Sequence, residues 1–302
     1  MMPELSIVVV HWNVPELLDA CLRSIAAERG RAAGFTCETI VVDCASPTDG
    51  HRAVVAAHSD VTLIELAENR GYAAGCNTGL AASRGDAVLL LNPDIELEPG
   101  SLEALYRGLR IASHIGMTAP LLLNPDGSQQ SAGYRFPGPT SLLFDLLPVP
   151  ARLVESPLNG RALVGDGIQP IRIDYPLGAA MCVRRAAADT AGPLDEGYGM
   201  YSEEIDWAHR LAERGWTTLL IPTARVVHHG GRSTAQRPEA MREALWTSRA
   251  RYGRRWWSGR QRRLAALVVD LGTRLDDRRA GDGRRSTNAR IRRTFRDAAR
   301  DR

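Results

Sequence analysis

The sequence contains no lysine; all 38 of its strongly basic residues are arginine. Codon usage accounts for that as well as physics does, so nothing is built on it. Long apolar runs are also missing. No stretch approaches the roughly 18–20 apolar residues of a membrane span. Leu5 to Val10 is too short, with the wrong flanks, for a secretory leader. A cytosolic chain is the expectation. Cysteine is scarce: Cys21, Cys37, Cys44, Cys76 and Cys182 show no paired spacing, which favours free buried thiols over disulfides or a zinc site. What is there suits one large α/β domain with an appendage, since 302 residues allow both. The net charge of +3 hides an asymmetry. From Arg242 onward nineteen arginines face seven acids, so the tail is strongly basic and the rest acidic.

The chain is organised around Gly85-Asp-Ala-Val-Leu-Leu-Leu-Asn-Pro-Asp94. Ala87 to Leu91 is an unbroken apolar run, the pattern of a strand buried on both faces in a parallel sheet. Pro93 ends its ladder pairing. Asn92 and Asp94 are left at the carboxyl edge, where ligands bind in open α/β sheets. Oxygen ligands there suit a hard divalent cation, which in turn suits a diphosphate. Taken alone, Asn-Pro-Asp is also ordinary turn chemistry.

Ser6 to Val10 predicts the first strand, closed by His11-Trp12-Asn13, with a helix opening at Pro15. Thr39 to Val42 predicts a second strand ending at Asp43. A helix over about 50–58 and a strand from Val61 to Leu66 follow. This β-α-β-α-β order is one nucleotide-binding half of a doubly wound sheet. Asp43 stands where an acid meets a ribose or base, or caps its own loop. In Asn69-Arg-Gly-Tyr-Ala-Ala-Gly-Cys-Asn-Thr-Gly79 the glycines recur every fourth residue, on one helical face. No Gly-Lys-Ser/Thr follows, and the stretch is not Gly-x-Gly-x-x-Gly. Packing accounts for the glycines but not for Asn69, Arg70 and Asn77. A helix follows over about Pro99–Ile111.

A hairpin is expected about Asn124-Pro-Asp-Gly127. Residues 133–176 are irregular, as functional loops are. Tyr175 to Val183 predicts a strand with a Gly-Ala-Ala centre. Ser202 is placed to cap a helix starting at Glu203 and stopped by Gly215. Three acids in its first turn (Glu203, Glu204, Asp206) exceed what a cap requires. Thr217 to Ile221 predicts a last strand, and His228 and His229 follow beside two glycines, a candidate ligand site. In the basic tail, Trp246, Tyr252, Trp256 and Trp257 alternate with arginines. That suits an anionic membrane surface; a helix packed on the domain, or a homodimer helix, is the alternative. No recognition motif points to nucleic acid. Flexibility is expected after Asp276.

Together these stretches resemble the inverting glycosyltransferases of family 2, and among them the bacterial rhamnosyltransferases. The likeness spans about residues 5–233. Its elements come in the family's order: Ser6 to Asn13, Val41-Val-Asp43, Asn69 to Asn77, Leu90 to Asp94, Tyr201 to Asp206 and His228 to Ser233. The resemblance implies a GT-A fold, Rossmann-like, with a mostly parallel central sheet. It divides the chain into a nucleotide-sugar half (1–112), an acceptor half (113–233) and a basic helical extension (234–302). It implies donor binding by His11, Asn13, Asp43, Asn69, Arg70, Gly71, Gly75, Asn77 and Asn92. It implies Mg²⁺ or Mn²⁺ on Asp94 and His228, and acceptor contacts at Gly178 and Asp206. Asn92 replaces the first acid of the family's Asp-x-Asp, which removes a charge from the metal site. Glu204 matches the general base, usually an Asp, so both Glu203 and Glu204 are candidates. Cys44 departs from the usual Asn or Asp and carries no contact.

The implied reaction is transfer of a sugar, L-rhamnose from dTDP-rhamnose, to a hydroxyl of a glycan or polyprenyl-linked acceptor. It belongs to cell-surface polysaccharide synthesis, in the cytoplasm or on the inner face of the plasma membrane. A UDP- or GDP-hexose donor is the alternative. A sugar-phosphate nucleotidyltransferase would need a Gly-rich basic loop after the first strand, and His11-Trp12-Asn13 is not one. A nucleotide- or glycan-binding protein with a decayed site is the reading of another class, prompted by Asn92 and Glu204.

Overall fold

The computed structural model describes residues 3–31, 36–147, 149–154, 156–164, 167–230, 238–278 and 280–300. The chain begins with β1 (Leu5–His11), α1 (Pro15–Arg31), β2 (Cys37–Asp43), α2 (Gly50–Ala56), β3 (Val61–Glu65), α3 (Tyr72–Ala82) and β4 (Ala87–Leu91). Next come β5 (Ile95–Leu97), α4 (Ser101–Leu109), β6 (Ile115–Leu123), β7 (Gln129–Gln130) and β8 (Gly133–Tyr134). Two short helices, α5 (Ser141–Leu146) and α6 (Ala151–Val154), lead to β9 (Ile171–Ile173), β10 (Tyr175–Pro176) and β11 (Ala180–Arg184). Then follow α7 (Arg185–Ala191), α8 (Glu203–Glu213) and β12 (Thr217–His228). Three helices of nineteen residues close the chain: α9 (Pro238–Trp256), α10 (Gly259–Asp277) and α11 (Asp282–Arg300).

The main sheet runs β3-β2-β1-β4-β11-β6-β12-β5, with β7 beside β6 and β9 beside β12. β3, β2, β1 and β4 are parallel; β11 is antiparallel to both β4 and β6. Every residue of β1 and of β4 is buried, as their β-branched and leucine runs require when both faces are covered. Leu18, Leu22, Ile25, Leu102 and Leu105 cover one face, and Ala73, Cys76, Trp207 and Leu211 the other. Gly75 and Gly79 bring α3 onto β1: a Cβ at Gly79 would lie 2.1 Å from Val8 Cγ1. The chain moves outward from β1 to β3, then α3 returns it to β4 on the other side of β1. That reversal opens a crevice beyond the carboxyl ends of β1 and β4.

Several expected elements change shape. The strand expected over Tyr175–Val183 is split: β10 pairs with β8 in a separate ribbon, β11 enters the main sheet, and Leu177-Gly178-Ala179 joins them. The last strand runs on to His228 past a register shift between Ile221 and Arg225, where Pro222 has no N–H for the ladder. β5 is not foreseen by any periodicity; it pairs with Val226 to His228.

The tail departs most from expectation. Trp246, Tyr252 and Trp257 are buried, in a third core shared with Leu142, Tyr198, Ile291 and Phe295. The aromatics expected to face lipid are therefore spent inward. Beyond Asp276, where flexibility is expected, α11 packs Ile291, Phe295 and Ala298 into that core.

Candidate active site

At the carboxyl end of β4, Asn92 donates its backbone N–H to Ala179 O (2.9 Å), which ties the strand tip to the Gly178-Ala179 link. Its side-chain amide makes no hydrogen bond with the described residues and is partly exposed. Two residues on, β5 brings Asp94 against β12, where His229 N–H donates to Asp94 O (3.0 Å). Asp94 Oδ1 is buried and has no hydrogen-bond partner. The nearest basic atom, His228 Nε2, is 3.7 Å away, too far for a hydrogen bond. The tautomer of His228 is set from behind. Gln130 Nε2 donates to Asn124 Oδ1 (2.7 Å) and to His228 O (2.9 Å), so its Oε1 must accept from His228 Nδ1–H (2.9 Å). The lone pair of Nε2 is then turned toward Asp94. Burial further lowers the His228 pKa and favours the neutral ring. An orphaned buried carboxylate oxygen beside an imidazole lone pair fits a divalent cation.

Among the described residues His11, Asp43 and His51 also bring ligand atoms together, within 4.8 Å. Their side-chain atoms are already hydrogen-bonded within the protein. His11 Nδ1 bonds Asp43 Oδ1 (2.8 Å) while its Nε2 accepts from Val14 N–H (3.1 Å). His51 sets Nδ1 against Thr48 O (3.1 Å) and Nε2 against Glu65 Oε1 (2.8 Å). Ser46 donates its N–H and Oγ–H to Asp43. Burial would raise the Asp43 pKa; the His11 and Ser46 bonds outweigh it and hold the group at about 2. Asp43 is thus an ionised, inward anchor that shapes the loop after β2. Asn13 adopts φ 53° beside it and takes Ser46 Oγ on its N–H (2.7 Å).

The predicted first-turn acids part company on α8. Tyr201 and Ser202 both have φ 68°, and Ser202 makes no side-chain cap bond, contrary to expectation. Two left-handed non-glycine residues in a row concentrate backbone strain at the start of this helix. Glu203 is buried, with one carboxylate oxygen unpartnered. Burial, then the neighbouring Glu204, raises its pKa well above the ordinary value. Glu204 is only half-buried and packs on Gly178, where an added Cβ would meet its Cγ at 3.3 Å. Burial raises it to about 7, partly offset by backbone N–H groups of the helix start. Tyr72 Oη–H donates to Gly178 O (2.8 Å) from the far side. Glu204 therefore borders the same Gly178-Ala179 link that holds Asn92.

Asp206 lies elsewhere. It is fully buried, and its oxygens accept from Arg210 Nε (2.9 Å) and Trp256 Nε1 (2.9 Å). This carboxylate fastens the tail to α8 and does not open toward an acceptor. The Asn69–Asn77 stretch is also largely self-engaged. Asn69 Oδ1 accepts from Gly71 N–H, Arg70 pairs with Glu196, and Asn77 clasps Leu194 O and N. Gly71 has φ +89°, and a Cβ there would meet Gly199 O, so α3 begins against the 196–199 turn. Residues from Gly231 to Ser233 of the predicted histidine-glycine motif lie outside the described residues. Gln130 escapes the sequence reading: nothing local separates it from Gln129, and only the hairpin and β12 give it its partner.

A family model described as glycosyl transferase family 2 matches residues 6–117. The N-acetylglucosaminyl-diphospho-decaprenol L-rhamnosyltransferase of Mycobacterium tuberculosis is 27% identical over 252 residues, covering 78% of each chain. Among solved structures, a mannosyltransferase from Pyrobaculum calidifontis in complex with GDP-Man and Mn²⁺ superposes with a TM-score of 0.58 at 17% identity, over 99% of this chain and 86% of that one. GalNAc-T7 with UDP, GalNAc and Mn²⁺ gives 0.57 at 17%, over 75% of this chain and 43% of that one. The chain has the GT-A fold, matches the family 2 glycosyl transferase model over residues 6–117, and resembles a bacterial rhamnosyltransferase.

Proposed function

We propose that the protein transfers L-rhamnose from dTDP-rhamnose, with inversion, to a hydroxyl of a lipid-linked glycan. The lipid-diphosphate sugar acceptor of the mycobacterial relative supports the acceptor class. The carrying observation is an orphaned Asp94 oxygen facing His228, two residues past Asn92, whose N–H donates to Ala179 O, together with a half-buried Glu204 packed on the adjoining Gly178 and raised to about 7. A divalent cation on Asp94 and His228, Mg²⁺ or Mn²⁺, would supply Lewis acidity for the leaving diphosphate. Asn92 offers a neutral amide where a second carboxylate would add charge.

The protein's own part is proton transfer and alignment. Glu204 takes the acceptor's hydroxyl proton as the new C1–O bond forms and the bond from C1 to the diphosphate oxygen breaks. The nucleoside diphosphate leaves on the opposite face. A base near neutral pKa suits that step, which is worth about 10²–10⁴-fold. Glu203 is buried, whereas Glu204 is partly exposed and is the carboxylate an acceptor hydroxyl can reach. His11, Asn13 and Asp43 shape the nucleobase end, and Gly71 and Gly75 allow close approach of α3.

The test is transfer from dTDP-rhamnose, UDP-hexoses and GDP-hexoses to a polyprenyl-diphosphate N-acetylglucosamine, each with and without Mn²⁺. Metal-dependent transfer from dTDP-rhamnose, lost in Asp94→Ala and Glu204→Gln, is expected. Transfer from a UDP- or GDP-hexose alone would replace the donor. Full activity in Glu204→Gln would remove the base.

A further inference from the structure

α10 packs only one side of itself on the protein. Ala265, Val269, Gly272 and Thr273 are buried; a Cβ at Gly272 would meet Leu146 Cβ at 2.6 Å, so this side sits tightly on α5. The other side carries Leu264, Leu267, Leu271 and Leu275, which are 44%, 69%, 56% and 36% exposed. Spacings of three, four and four residues set them in a single stripe about 16 Å long. No helix among the described residues is long and apolar enough to cross a membrane, so this stripe is not part of a span.

The stripe is framed by positive charge. Arg260 and Arg278 stand at its two ends and Arg263 beside it; all three are exposed and have no side-chain partner among the described residues. Elsewhere in the tail arginines are largely paired, as Arg284, Arg290 and Arg292 are with Glu239, Glu243 and Asp277. The acid nearest the stripe, Asp270, is neutralised from both sides by Arg274 and Arg296.

We infer that this face of α10 lies in the interface of an anionic lipid bilayer, leucines in the acyl boundary and arginines at the headgroup phosphates. A helix with a leucine face and basic flanks binds in that way. A second copy is the poorer occupant, because a two-fold contact would set these arginines against their own counterparts. The inference replaces the tail's aromatics as the membrane contact, since Trp246, Tyr252 and Trp257 are buried and Trp256 is partly buried against them. It is independent of the donor and the base, since vesicle binding requires no transfer.

The experiment is flotation of the full chain with vesicles of equal parts phosphatidylglycerol and phosphatidylcholine, and with phosphatidylcholine alone. Binding to the anionic vesicles only is expected. The double variant Leu267→Glu/Leu271→Glu should lose about tenfold or more of that binding, and Arg263→Gln about fivefold. Metal-dependent melting with a nucleotide sugar should stay unchanged in both. If the acidic pair melts early, Leu267→Gln/Leu271→Gln takes its place. No flotation of the wild type, equal flotation of the leucine variant, or equal binding to neutral vesicles overturns the inference. So does light scattering that finds a wild-type dimer which the leucine variant dissolves.

Discussion

His228 donates from Nδ1 to Gln130 Oε1 at 2.9 Å, and this bond decides which ring nitrogen faces Asp94. The orientation of Gln130 is fixed in turn by two donations from its amide. Partners of this kind behind a metal-binding histidine typically matter 10–100-fold for metal affinity. Gln130→Ala should therefore weaken Mn²⁺ binding by about 10- to 100-fold while the fold stays intact. A Mn²⁺ titration followed by electron paramagnetic resonance reads this directly. Unchanged affinity would mean that His228 is not a ligand or that its tautomer needs no support.

Glu204 is the group whose charge should govern rate near neutrality. Its raised pKa, about 7, places it mostly protonated in mild acid. A base must be unprotonated to accept the hydroxyl proton, so kcat/KM should rise with pH and level off above about 7. Glu204→Gln should lower kcat by about 10²–10⁴-fold and leave donor binding near wild type. A flat pH profile with the wild-type enzyme would assign the proton to another acceptor.

Glu203 predicts the opposite balance between stability and charge. Its folded pKa lies above its unfolded one, so the folded state binds the extra proton more tightly. The sign follows: its contribution is most favourable below the unfolded pKa near 4.5 and declines as pH rises toward the folded value. Glu203→Gln keeps the shape and removes that decline. The variant should gain thermal stability over wild type at pH 8, by about 2–4 °C for each kcal/mol recovered. At pH 4 the two should melt together. A variant that is less stable at both would show that the Glu203 carboxylate has a partner it needs.

Local pattern in the sequence was enough for the elements from β1 to β4. Buried runs such as Ala87–Leu91 and glycines spaced at helical intervals carry their burial in their own composition. β5 was not legible, because three residues after a proline have no periodicity, and their strand character comes from pairing with β12. The split of Tyr175–Val183 and the burial of Trp246 and Tyr252 are likewise decided by distant partners. For the candidate site, Asn92, Asp94, Glu204 and His228 were visible as residue types at strand ends and a helix start. Gln130 was not, since its role exists only through a bond across 98 residues. Asp206 misled for a related reason. An acid in the first turn of a helix looks like a cap or a ligand until the residues arriving from the tail are seen around it.

Asp206 supplies the last test, because the two roles proposed for it respond differently to one change. In the structure its carboxylate accepts from Arg210, Trp256 and Arg255, and Tyr198 Oη–H points at it from 3.3 Å. Arg210 is itself buried, so removing the acid strands a cation in the protein interior. Breaking one side of a buried pair costs about 3–5 kcal/mol. Asp206→Ala should lower the unfolding free energy read from urea denaturation by that amount. Asp206→Asn, which can still accept from Trp256, should lose less. Neither change should raise the acceptor KM beyond what partial unfolding explains. If Asp206→Asn raised the acceptor KM severalfold with an unchanged urea midpoint, Asp206 would be an acceptor contact after all, and the tail would be held by its aromatic core alone.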